Sequence, residues 1–198
     1  MTHHLSRYDP VWSAAEPYMR ARKNDVHIPV CFHWTLKLLD HFPEADRDIC
    51  LLAILLHDIG WYAIDMEEII EQGFRSDDIL HSDVRYRHEA EGVRMGREVL
   101  EQTGWDEAVI TQVCEIIDGH DTRDTARHLN DRIVRDADKL WRFSVTGIAI
   151  AADWFGTTPR GYADRLETEW NKLETTPGRD MARDELARSR QTLMLHVI

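Results

Sequence analysis

Eight consecutive apolar residues, 49–56, run directly into His57-Asp58-Ile59-Gly60. A helix that is apolar on every side is buried on every side, and its end has no ordinary use for an imidazole and a carboxylate. Burying an unpaired carboxylate is expensive, so Asp58 must meet a cation, a metal ion or several hydrogen-bond donors. Adjacent side chains on a helix diverge by about 100°, so His57 and Asp58 can converge on one ion just beyond the last turn. The chain therefore has to carry a compensating group to the end of its own core helix.

Elsewhere apolar residues recur at helical spacing and nowhere alternate with polar ones over five positions, which predicts an all-α bundle. The pattern predicts helices over 9–23, 29–42, 46–62, 88–100, 105–120, 133–155, 161–173 and 183–197. Residues 24–29 read as a loop, because Pro29 suits a first helical position and disfavours helix before it. Residues 63–87 are polar, with turn signals at Asp77 and Asp78. No repeat or linker divides the chain, so a single helical domain over 1–198 is expected, with C-terminal helices from about 160. No apolar stretch exceeds eight or nine residues, well short of the roughly 20 a membrane span needs, and no signal peptide is visible; a cytoplasmic location is expected.

The chain has 36 acidic and 24 basic residues, a formal net charge of −12. Such a surface repels nucleic-acid phosphates and argues against duplex binding. It is compatible with a small anionic substrate if bound cations reverse the local field, and with a homo-oligomer. Cys31, Cys50 and Cys114 each lie in apolar stretches without a Cys-x-x-Cys pair, so buried free thiols are expected.

His33, His57, Asp58, His120 and Asp136 each lie within or at the end of an apolar segment. A lone histidine on an apolar face is more often core than ligand, so the argument rests on their number and placement. His88 opens a helix beside Glu89 and Glu91, so an exposed first-turn position is the competing reading for it; His27 reads as part of the loop. Lys139, three residues after Asp136, projects from the same helical face and could bind phosphate or sit in a surface salt bridge. Arg123, just past His120, is a second candidate for that task. Trp61, Trp141 and Trp154 could wall a pocket or pack in the core.

The order His33, His57-Asp58, Asp136 resembles the metal-binding pattern of the HD superfamily of metal-dependent phosphohydrolases. The neighbouring segments Leu56-His57-Asp58-Ile59-Gly60 and Ile133-Val134-Arg135-Asp136-Ala137-Asp138-Lys139-Leu140 are similar to its motifs. The resemblance implies an HD-type helical fold over roughly 27–155. It also implies a six-ligand dinuclear site in which Asp58 bridges two divalent transition metal ions (Fe, Mn or Co). His33, His57 and Asp136 would hold one ion, and His88 and His120 the other. Two such cations can share a hydroxide nucleophile and clamp phosphoryl oxygens, with Asp58 as the catalytic centre and Lys139 and Arg123 binding substrate. The implied activity is hydrolysis of a small phosphorylated molecule, nucleotides included. Two other classes stay open: a mixed-valent diiron oxygenase cleaving a C–C or C–P bond, and a non-catalytic metal-binding regulatory module. Phosphonate-oxidising relatives carry a Tyr in the loop before the first His, and residues 24–27 contain none.

Overall fold

The apolar run forms α3 (Arg47–Leu56), opened by Asp46, whose carboxylate accepts the Ile49 N–H at 3.1 Å. All of residues 49–56 are buried. The computed structural model describes residues 5–69 and 82–195, so Asp77 and Asp78 lie outside the described residues. Among those described, the chain forms ten α-helices and no strand, as the absence of alternation predicts. None of these helices is long and apolar enough to cross a membrane. Cys31, Cys50 and Cys114 are free and buried.

α2 (Asn24–Leu39), α6 (Glu107–Ile117) and α7 (Leu129–Leu140) pack around α3 and enclose the main core. α5 (Asp83–Gln102) packs on the 3-10 turn Ile59–Ala63 that follows Asp58, and against α6. Gly60 makes that crossing possible. A Cβ there would lie 2.0 Å from the His88 carbonyl oxygen and 2.3 Å from Gly92 N, so only glycine lets the turn approach α5.

Several element boundaries differ from the sequence expectation. The first helix stops at Ala15 (α1, Asp9–Ala15) and continues as 3-10 turns around Pro17, ending in left-handed Arg22 (φ 50°) and Lys23 (φ 57°). α2 then begins at Asn24 and carries Pro29 inside it, early enough that only one helical donor is lost. The expected loop at 24–29 is therefore helix, which turns His27 onto a helical face. The short α4 (Met66–Glu68) is capped by Asp65. The single helix expected over 133–155 is broken into α7, a 3-10 turn Trp141–Phe143, and α8 (Val145–Trp154), where the Ser144 hydroxyl accepts from Gly147 N at 3.0 Å. α9 (Pro159–Leu166) and α10 (Thr176–Thr192) close the chain over α7 and α8.

Candidate metal centre

α3 ends at Leu56, and His57 and Asp58 leave it just before the turn held by Gly60. The His57 ring donates from Nδ1 to the Ile54 carbonyl at 2.9 Å, which fixes the tautomer and leaves the Nε2 lone pair free to face inward. His120 does the same through Nδ1 and the Ile117 carbonyl, also at 2.9 Å. It follows Gly119 (φ 87°), whose left-handed backbone turns the chain back after α6. His88 enters from α5 with its ring stacked on Trp61, centroids 4.0 Å apart.

These side chains and two others converge on Asp58. His27 Nε2 lies 3.2 Å from His57 Nε2, 3.5 Å from Asp58 Oδ2 and 3.3 Å from Asp138 Oδ1; His57 Nε2 lies 3.5 Å from Asp138 Oδ1. On the other side, His88 Nε2 and His120 Nε2 are 3.4 Å apart, and lie 3.7 and 3.5 Å from Asp58 Oδ1. Donors bound to one ion at about 2.0–2.2 Å stand roughly 3–3.5 Å from each other, so both groups have the spacing of a coordination shell. The donor set, imidazole with carboxylate, suits a divalent transition metal. The residues fit the ions that the family resemblance implies, in two triads joined at Asp58: His27, His57 and Asp58, and Asp58, His88 and His120.

The electrostatics agree with a site built for positive charge. Burial would raise the Asp58 carboxyl, but His57 and the Arg22 guanidinium (3.6 Å) outweigh it and hold it well below the usual range. Burial likewise opposes ionisation of Asp138, and the adjacent His27 and His57 imidazoles overcome it. Burial and the neighbouring His120 push His88 down to about 3. Burial alone would lower His120 too, yet its hydrogen bond to Asp58 holds it up at about 9. Trp61 Nε1 donates to Asp58 Oδ1 at 2.9 Å, fixing the carboxylate that faces both triads.

The structure brings together His57, Asp58, His88 and His120, and it does not bring His33 or Asp136 to them. His33 is exposed on α2, two helical positions past Cys31 and on the stripe that carries Lys37 and Asp40. Asp136 is fully buried but faces α10, accepting from Glu174 N (2.7 Å), Thr175 N (2.8 Å) and the Thr175 hydroxyl (2.6 Å). His27 and Asp138 stand in their places. The two substrate-binding candidates also move away from the cavity. Lys139 is partly buried beside Arg135 and Asp136, its ammonium pKa lowered by burial. Arg123 binds Asp131 at 2.8 Å and the Glu115 and Asp118 carbonyls, which ties down the loop after His120. The three tryptophans do wall the cavity: Trp61, Trp141 and Trp154 all line the space above the cluster, about 170 Å³ in volume.

Four more residues serve the site without having been singled out in the sequence. Arg22, Arg85 and Arg142 line the cavity. Glu89 is buried below the second triad, where it accepts Asp121 N (2.8 Å), Thr122 N (2.9 Å) and the Thr122 hydroxyl (2.6 Å), orienting the backbone that presents His120. A helical signal existed for two of these: Arg85, His88 and Glu89 occupy i, i+3 and i+4 of α5 and so share a face.

The HD domain sequence model matches residues 27–142, more than half of the chain, and its span opens on His27. The chain belongs to the HD domain family. This HD domain superposes on the crystal structure of a predicted HD superfamily hydrolase from an uncultured Thermotogales bacterium with a TM-score of 0.61, at 17% identity. The alignment covers 93% of this chain and 87% of the other. At that identity the likeness is one of fold. No curated protein matches the sequence.

Proposed function

We propose that this HD domain is a phosphohydrolase with two divalent cations, acting on a small phosphorylated molecule, nucleotides included. The observation that carries the reading is the meeting of two donor triads on one carboxylate, Asp58, at the base of a cavity lined by four arginines. His27, His57, Asp138 and Asp58 would hold one cation, and Asp58, His88 and His120 the other. Cations held there supply Lewis acidity toward a phosphoryl oxygen and acidify water at neutral pH. Asp58 keeps its charge through Trp61 and Arg22, so it offers both oxygens to the pair. Arg22 and Arg85 add positive charge to the wall of a cavity whose tryptophans lower the local dielectric and strengthen attraction of an anion.

The diiron-oxygenase alternative has less support. With His27 as the first ligand, the preceding segment does contain a tyrosine, Tyr18. Its ring packs on Tyr62 at 5.0 Å, and the residues from that segment that reach Asp58 are Arg22, at the carboxylate, and Asn24, whose amide donates to the Asp58 carbonyl at 3.0 Å.

The test is metal analysis of anaerobically purified protein, followed by a screen of nucleotides and phosphate esters with manganese, cobalt and magnesium. Phosphate release that disappears in Asp58→Ala supports hydrolysis. Two irons per chain with oxygen consumption and no phosphate release overturn it. The paired variant His88→Ala with His120→Ala is expected to take the metal content from about two ions per chain to about one; unchanged content would mean one ion only.

A further inference from the structure

Four arginines line the cavity, and three of them are already engaged by the protein. Arg22 lies 3.6 Å from Asp58, its guanidinium 4.3 Å from the centroid of Trp61 and 5.2 Å from that of Trp154. Arg85 binds the Asp121 carboxylate at 2.9 Å and the Asp121 carbonyl. Arg165 sits over Phe155 at 5.0 Å. Arg142 is different: it is partly buried in the cavity wall and makes no hydrogen bond or ion pair among the described residues.

That arrangement is costly unless something answers it. A guanidinium cannot shed its proton to escape burial, as a lysine can, so it needs an anion. Burial opposes the charge of Arg142, and Asp138, Asp121 and Glu169 attract it from beyond contact and keep it ionised. None of them hydrogen-bonds it, and Asp138, four residues earlier, is committed to His27 and His57 at 3.3 and 3.5 Å. The backbone beneath Arg142 is also tightly packed. A Cβ on Gly147 would meet the Trp141 carbonyl oxygen at 2.0 Å and the Arg142 Cα at 2.8 Å, so a glycine is needed for α8 to press against the 3-10 turn that presents Arg142. Beside it, Trp141, Trp154, Phe155 and Tyr162 give the same cavity an aromatic wall.

We infer that the substrate carries, besides the group at the metal cluster, a second anionic group joined to it through a planar or apolar body, and that Arg142 binds this second anion. The inference rests on the phosphohydrolase reading above and adds a requirement to it. The second anion is a carboxylate or a second phosphoryl group, since a guanidinium pairs with either through two parallel N–H bonds.

Binding of non-hydrolysable probes to the manganese-loaded protein tests this without turnover. Phenylphosphonate presents one anion. Its 3- and 4-carboxy derivatives and 1,4-phenylenediphosphonate present two, one set with a carboxylate and the other with a phosphoryl group. Tryptophan fluorescence or calorimetry is expected to show at least one two-anion probe binding about 10- to 100-fold more tightly than phenylphosphonate, the range of one charge-assisted pair. Arg142→Gln should erase that preference while leaving phenylphosphonate affinity and metal content unchanged. Arg142→Lys should recover part of it, and Lys139→Met, outside the cavity, should leave it whole. If phenylphosphonate does not bind the loaded wild-type protein, the phosphohydrolase reading itself fails. If it binds but no second anion improves on it, or if Arg142→Gln weakens all probes equally, the inference fails alone.

Discussion

Asp136, fully buried, and Asp138, partly buried, are two carboxylates two residues apart on α7, and they do different work. Asp136 is satisfied by two backbone N–H groups and a hydroxyl at the start of α10, the partners of a helix cap. Asp138 faces two imidazoles that also face Asp58. Their charges respond accordingly. Burial outweighs the hydrogen bonds at Asp136 and raises its pKa, whereas at Asp138 the histidines outweigh burial and lower it. Burial alone therefore does not mark a site. What marks one is a buried carboxylate whose partners are themselves donors with free lone pairs.

The comparison breaks most sharply on metal content. Asp138→Ala is expected to weaken cation binding by about 10³-fold, beyond the 10–100-fold that loss of an outer partner costs, with the metal-free protein melting within a few degrees of wild type. Metal analysis against a chelator series, read beside a thermal melt, checks both halves. Asp136→Ala should do the reverse. Its loss strands the Glu174 and Thr175 N–H groups and should lower stability by about 3 kcal/mol, a fall in melting temperature of roughly 6–12 °C with metal content intact. Equal metal loss in the two variants would erase the distinction drawn here.

A subtler effect is one of pH. In metal-free protein the His120 pKa is raised to about 9 by Asp58, so the protonated ring favours the fold. That contribution is complete below its ordinary value of 6.5 and is lost as pH rises through 9. Metal-free protein should accordingly lose stability across that window, and His120→Gln should flatten the profile; an unchanged slope in the variant would assign the effect elsewhere. The smallest change belongs to His33→Ala. Exposed and away from the cluster, it should shift stability by no more than about 0.5 kcal/mol and leave metal content as it was.

Much of this was legible along the chain. The buried helix ending in His57-Asp58 and the helical class follow from local pattern, because an apolar run and a charged terminus constrain each other within a few residues; His88 and His120 were placed beside the cluster by the family resemblance, not by pattern. The differences at His33 and Asp136 have separate causes: one lies in where α2 begins, the other in how α7 is rolled. On a helix two residues are about 200° of rotation, so choosing Asp136 over Asp138 selects the opposite face, and Lys139 was drawn in with it. The same rotation could have been read correctly. Asp138 lies four residues after buried Val134 and three before buried Trp141, and His27 heads the buried stripe Cys31, Trp34 and Leu38. Seeing the second stripe required helix across Pro29.

Sequence alone determined that Asp58 is buried and must be compensated, since the eight apolar residues before it leave the carboxylate no exposed position to occupy. It also determined the helical class and the family pattern. Only the tertiary structure decided which histidine and which aspartate arrive, because that depends on where α2 starts and how α7 is rolled against α10. It decided, too, that Arg142 makes no hydrogen bond or ion pair among the described residues. An arginine's partners come from several elements at once, and their absence among the described residues becomes visible only when those elements are packed together.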